Sequence, residues 1–88
     1  MVKEDKVKTI EIVDRLYESG DLRLLMSSGL IDPAVLKWRK IYHAYYKHLK
    51  EDKVKKRKCA EDIGCIFDCS FKTVYNVLNR MNFEIKKK

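Results

Sequence analysis

The chain has 88 residues, of which 45% are apolar and 38% are charged. This length permits one small domain, and the composition is that of a folded, helix-rich protein rather than a disordered one. No apolar run of about 18 residues and no secretory leader is present, so we expect a cytoplasmic protein that does not bind a membrane. A chain this short hides only about 60–65% of its unfolded surface. Its core is therefore either modest or shared with a second copy in a homodimer.

Charge is divided unevenly along the chain. Residues 1–36 carry five basic and seven acidic side chains, whereas residues 37–88 carry 15 basic and six acidic ones. Ten of the basic side chains lie within residues 37–58. Such a segment is typical of a surface that binds polyanions. The alternative is a solvated basic helix and linker that keep the protein soluble.

The acidic first part, residues 1–31, predicts two amphipathic helices. Apolar side chains recur at helical spacing over residues 7–17 and indicate a first helix over residues 3–19. Gly20 follows as a stop signal. A short second helix is predicted over residues 21–29, with the aspartate at its start as the cap. Both helices have an apolar face, which packs on the rest of the chain or forms the interface of a dimer.

The third predicted helix has the clearest start signal in the sequence. Asp32 is its cap, and Pro33 stands in the first turn, where a missing N–H group costs nothing. An apolar and aromatic stripe continues to about Lys50 and predicts the longest helix of the chain. Aromatic side chains can stack on nucleobases. At helical spacing they more often belong to a core, so we assign Trp38 and Tyr42 to packing.

Two basic segments have less regular patterns. Residues 53–58, at the end of a basic part that covers residues 32–58, lack a strong apolar rhythm. They predict a connection to the next helix or a continuation of the third one. The tail over residues 83–88 ends in three lysines, and we expect Phe83 and Ile85 to lie on the core.

Residues 59–82 predict two short helices joined by a sharp turn. Ile63 and Phe67 lie four positions apart on the first helix, and apolar residues recur at helical spacing over residues 74–81 on the second. Each helix therefore has one face to bury. Gly64 lacks a Cβ atom and permits two helix backbones to approach closely where they cross.

The turn itself has its own local signals. Asp68 tolerates left-handed backbone angles better than most residues, and Cys69 can tuck inward as a small apolar side chain. Ser70 is the predicted cap of the second helix, where its oxygen would accept a hydrogen bond from the N–H group of Lys72 or Thr73.

These residues carry a resemblance that covers about a quarter of the chain. Ile63-Gly64, Phe67-Asp68-Cys69-Ser70, Thr73-Val74-Tyr75 and Val77-Leu78 are similar to the helix-turn-helix motifs of bacterial and phage regulators and of transposase amino-terminal domains. Gly64 stands where such motifs usually carry Ala, and Asp68 stands where they usually carry Gly. More loosely, residues 39–45 ahead of the motif resemble the middle-operon activators of Mu-like phages.

The pattern and the resemblance together predict an all-α domain of about five helices with a tri-helical core. The resemblance implies sequence-specific binding of double-stranded DNA and regulation of transcription, with transposition, recombination or DNA packaging as the alternative. A rival from another class is a protein-interaction module, in which the same core is a scaffold and the basic segment docks an acidic partner.

The second helix of such a motif enters the major groove and presents its exposed face to the bases. Asparagine amides can address adenine, lysine can address guanine or a phosphate, and aromatic rings can touch a thymine methyl group. The predicted base-reading residues are Phe71, Lys72, Tyr75, Asn76 and Asn79. In the alternative, Asn79 only decorates the helix, Tyr75 packs on a neighbour, and Arg80 pairs with Glu84.

Phosphate contacts provide affinity rather than sequence preference. We predict them for the basic segment before the motif and for hydroxyl and basic side chains of the second motif helix. The predicted residues are Lys53, Lys55, Lys56, Arg57, Lys58, Ser70, Thr73 and Arg80.

Three cysteines and two histidines suggest a zinc site, since zinc takes four such ligands in a tetrahedron. The spacing argues against it, because Cys59, Cys65 and Cys69 form no Cys-x-x-Cys pair. We predict buried thiols in a reducing compartment and no metal.

His43 and His48 lie on the predicted third helix, and no catalytic pair or glycine-rich phosphate loop has a recognisable spacing. No enzymatic activity, cofactor or small-molecule substrate is therefore predicted.

Overall fold

Residues 6–86 are described by a computed structural model, and they form five helices and one two-stranded sheet. This confirms the predicted all-α class. The start of the predicted first helix, residues 3–5, and the lysines at positions 87 and 88 lie outside the described residues. The elements in chain order are β1 (Lys6–Lys8), α1 (Thr9–Ser19), α2 (Asp21–Ser27), α3 (Ala34–Asp52), α4 (Lys56–Phe67), α5 (Phe71–Asn82) and β2 (Glu84–Lys86).

The two strands are the main departure from the sequence-based prediction. Residues 6–8 are not helical, because they pair antiparallel with the tail, with Val7 opposite Ile85. The backbone N–H group and the hydroxyl of Thr9 both donate to the carbonyl oxygen of Phe83, at 2.9 and 3.1 Å. Backbone N–H groups in the first turn of a helix have no acceptor within the helix. The carbonyl oxygen of Phe83, which is distant in the sequence, is the acceptor for the N–H group of Thr9.

The prediction that the tail covers the core is wrong. The side chain of Phe83 is 64% exposed and that of Ile85 is 38% exposed. The backbone of this segment is held in the β1–β2 ribbon, which determines where its side chains point. The tail is therefore anchored through its main chain rather than through apolar burial.

Most helix boundaries follow the local start and stop signals. The exception is Asp21, which was predicted to cap α2 but is its first helical residue, with Gly20 at the cap position. Gly20 ends α1 with a left-handed backbone at φ 85°. The carboxylate of Asp32 accepts a hydrogen bond from the N–H group of Ala34 at 2.9 Å and so caps α3. The third helix runs two residues beyond the predicted end at Lys50 and stops before Lys53, which has a left-handed backbone at φ 51°.

The core lies where α3 packs against both α4 and α5, with α1 covering α5. Ile41 and Tyr45 of α3 are buried there, together with Ile63 of α4. Fully burying an apolar side chain of this size contributes about 1.5–3 kcal/mol. Trp38 and Tyr42 are half-buried against this cluster, which confirms their assignment to packing. None of the described helices is long and apolar enough to cross a membrane.

His48 ties the end of α3 to α4. Its Nε2 atom lies 3.0 Å from a carboxylate oxygen of Asp62, and its Nδ1 atom bonds to Asp52 one helical turn away. The other oxygen of Asp62 pairs with Lys58 at 3.2 Å. The hydrogen bonds to Asp62 and then Asp52 raise the pKa of His48 above its usual 6.5. The bond from His48, followed by that from Lys58, lowers the pKa of Asp62 below 3.8.

We expect the fold to lose stability as the pH rises above about 6.5, since His48 is held best in its charged form. Its contribution is complete below the unfolded-state pKa and disappears as the pH passes the higher folded-state pKa. The contribution of Asp62 acts in the opposite direction, being lost only as the pH falls below about 4 through its lowered pKa.

Urea denaturation between about pH 5.5 and 8.5 measures this effect, with NMR titration of the His48 ring as the direct readout of its pKa. In the variant His48→Gln, the fall in the unfolding free energy over this range should be smaller than in the wild type. An identical pH dependence in both proteins would show that the bridge does not act on stability.

Candidate nucleic-acid interface

Helices α4 and α5 are joined by a short connection over residues 68–70. Asp68 has a left-handed backbone, with φ 57° and ψ 51°, as its position in the turn predicts. The Ser70 hydroxyl oxygen accepts a hydrogen bond from the N–H group of Thr73 at 3.2 Å, which confirms Ser70 as the cap of α5. Local side-chain chemistry thus determines where α5 begins.

Gly64 is required by the connection rather than by a crossing of two helix axes. A Cβ atom at this position would lie 2.5 Å from the carbonyl oxygen of Cys69. The carbonyl oxygen of Gly64 accepts a hydrogen bond from the N–H group of Cys69 at 2.8 Å. The predicted close approach exists, but its partner is the backbone of the turn, which folds back over α4.

The second helix, α5, has one buried and one exposed face. The apolar residues predicted to turn inward are all buried, namely Val74, Val77, Leu78 and Met81. On the opposite side, Lys72, Asn76 and Asn79 are exposed and lie above one another at i, i+4 and i+7. These three residues form what we call the α5 stripe.

The aromatic members of the predicted reading face lie at its margin. Phe71 and Tyr75 are half-buried against the core and meet edge to face, with ring centroids 6.1 Å apart. The guanidinium of Arg57 lies over the Phe71 ring at 4.6 Å. This contact brings a cation from the first turn of α4 to the start of α5. Spacing in the sequence did not indicate it, because it depends on how the two helices cross.

The basic segment over residues 53–58 is divided between two structures. Residues 53–55 form the connection that was predicted, whereas Lys56, Arg57 and Lys58 form the first turn of α4. Cations are unfavourable at a helix amino terminus, because the helix dipole already makes that end positive. Positive charge and the helix dipole thus add together at this end of α4 and attract anions, while Arg57 and Lys58 also pair with Glu61 and Asp62 one turn on.

Arg80 and the thiols have other surroundings than the sequence suggested. Arg80 lies over the Trp38 ring at 5.2 Å, and no ion pair joins it to any acidic side chain of residues 6–86.

Cys59 is buried and donates to the carbonyl oxygen of Tyr45 at 3.2 Å, and burial raises the pKa of its thiol. Cys69 is half-buried, but Cys65 is exposed on the outer face of α4. The prediction of three buried thiols is therefore wrong at Cys65.

Within the described part of the chain, no group of three or more His, Cys, Asp or Glu side chains is arranged to hold a metal ion. His43 instead lies 2.9 Å from Asp14, which also pairs with Arg39 at 2.7 Å and so links α1 to α3.

No protein family, curated protein or solved structure was found to match this chain. Its function is therefore argued from its own residues and their geometry.

Proposed function

We propose that this protein binds double-stranded DNA sequence-specifically, with α4, the turn and α5 acting as a helix-turn-helix, and that it regulates transcription. The α5 stripe supports this proposal most directly. It presents one cation and two amides on the exposed side of a helix whose other side is fully committed to the core. Lysine and asparagine are side chains that recognise guanine and adenine in the major groove.

The dimensions and the position of α5 also support the proposal. A helix of 12 residues is about 18 Å long, and the major groove is about 12 Å wide and accepts such a helix. The start of α5 is held by the Ser70 cap and by the ring of Phe71 under Arg57. A reading helix must be held in this way, because base contacts depend on its register along the duplex.

The cations around the stripe supply the affinity in this proposal. Lys53 and Lys55 in the connection and the three cations in the first turn of α4 are all exposed. They contact phosphates on one side of the groove, while Thr73 and Arg80 flank the stripe on α5. The protein as a whole carries a formal net charge of +7, which favours encounter with a polyanion.

A second copy of the chain fits the same proposal. On α2 and the segment after it, Leu24 is 68% exposed and Leu30 is 76% exposed, while Leu22 alone is buried in that helix. Large apolar side chains that are exposed in this way favour contact with another copy of the chain. Two copies would place two α5 helices on half-sites one helical turn apart, about 34–36 Å along the duplex.

Fluorescence anisotropy with a random duplex of about 30 base pairs, long enough for two half-sites, tests the proposal. We expect binding that weakens steeply with salt, with a log–log slope of about −5 if six phosphates are neutralised. Polyglutamate is the control polyanion, and it should compete poorly. Equal binding to polyglutamate would favour the protein-interaction module, and no binding at low salt would contradict the proposal.

A further inference from the structure

A groove of about 480 Å³ runs between α1, α3 and the carboxyl end of α5. Val13, Val35 and Met81 line it with aliphatic side chains, which we call its floor, and the rings of Trp38 and Phe83 also line it. Small-molecule sites in proteins typically have volumes of about 300–1,000 Å³ and are mostly apolar, with a few polar groups that orient the ligand. The groove has this size and this composition.

One charge stands at the rim of this apolar surface. Arg80 lines the groove with its guanidinium over Trp38, and no acidic side chain among residues 6–86 neutralises it. Guanidinium groups bind carboxylates through two parallel hydrogen bonds, and stacking on an aromatic ring leaves those N–H groups available. The amide of Asn79 lies beside Arg80 at the same rim and adds a second polar group.

We propose that this groove binds a small organic acid, with its carboxylate on Arg80 and its apolar chain or ring against the floor. The charge distinguishes this occupant from two others. A neutral apolar molecule would leave the guanidinium unpaired beside a newly buried surface, which is unfavourable. The residues that line the groove include no carboxylate, so a symmetric contact of groove on groove would bring two Arg80 side chains together without an acidic partner.

The ligand would also act on the DNA-binding face, a step that rests on the proposed function. Asn79 belongs to the α5 stripe and Arg80 flanks it, so a carboxylate bound at Arg80 competes with a phosphate. By reciprocity, the acid weakens DNA binding as much as DNA weakens binding of the acid. We expect the salt slope to become less steep by about 0.9, the value of one phosphate contact.

Trp38 is the single tryptophan of the chain, so its emission reports directly on the groove. We would titrate the full protein with octanoate, using octanamide as a neutral control of the same length. Octanoate should change the emission saturably, with octanamide about tenfold weaker, which corresponds to one charge-assisted contact. Arg80→Gln should abolish the difference between the two, whereas Lys40→Gln, which removes an exposed charge outside the groove, should preserve it.

Three results would overturn the proposal. They are no saturable change up to about 10 mM octanoate, equal affinity for octanoate and octanamide, and an unchanged preference for octanoate in Arg80→Gln. The fluorescence titration contains no DNA, so its outcome does not depend on the proposed function. If octanoate binds but the salt slope of DNA binding stays the same, the groove is confirmed and its coupling to DNA is contradicted.

Discussion

The double variant Lys72→Ala, Asn76→Ala is expected to lose the preference for a selected DNA site while still binding random duplex. Each base contact of a lysine or an asparagine is worth about 1–3 kcal/mol of discrimination. Both side chains are exposed, so their removal leaves the core of α5 intact. A preferred site is first selected from a random pool, and anisotropy then compares that site with random duplex for each protein.

Two further variants separate base reading from phosphate contact. Lys53→Ala, Lys55→Ala should weaken binding to both duplexes alike and make the salt slope less steep by about 1.8, because two phosphate contacts are lost. Lys40→Ala removes an exposed charge on α3 that is not among the residues assigned to base or phosphate contacts, and it should change neither quantity. If the double variant in α5 retained the site preference, α5 would not be the reading helix.

Gly64→Ala adds only one methyl group, but we expect it to lower the free energy of unfolding markedly. The new Cβ atom would meet the carbonyl oxygen of Cys69 at 2.5 Å, and that backbone atom cannot move without shifting the turn. Overpacking of this kind typically costs about 1–3 kcal/mol, partly offset by a gain of about 0.5–1 kcal/mol in helix propensity. Urea denaturation followed by circular dichroism measures the difference.

Cys65→Ala is the matched control, since it introduces the same residue at the next position of α4, where the side chain is exposed. It should change the unfolding free energy by no more than about 0.5 kcal/mol. Equal stability of Gly64→Ala and the wild type would mean that the turn can move away from α4 at little cost. In that case Gly64 would not be what determines the geometry between α4 and α5.

Much of the connection between α4 and α5 could be read from neighbouring residues. The cap at Ser70 and the left-handed backbone of Asp68 depend on side chains and backbone within a few positions of each other. Such interactions are encoded locally, so the spacing of the residues is sufficient to predict them. The buried face of α5 was predictable for the same reason, because Val74 and Met81 repeat with the period of a helix.

The candidate site was predictable only in part. The exposure of Lys72 and Asn76 follows from the helical period once the apolar face is assigned. The stacking of Arg57 on Phe71 and of Arg80 on Trp38 depends on how separate helices cross. No pattern within a single segment contains that information. The groove beside Arg80 was therefore not predicted.

Local sequence alone was enough to establish five amphipathic helices, the caps of α3 and α5 and the concentration of positive charge beside the last two helices. Only the tertiary structure decided that residues 6–8 form a strand, because their partner is the tail at the other end of the chain. It also decided that Phe83 remains exposed and that Gly64 faces the backbone of Cys69. The physical reason is the range of the interactions. Caps and helical periods act within a few residues, whereas strand pairing, stacking and close approach join positions that only the folded chain brings together.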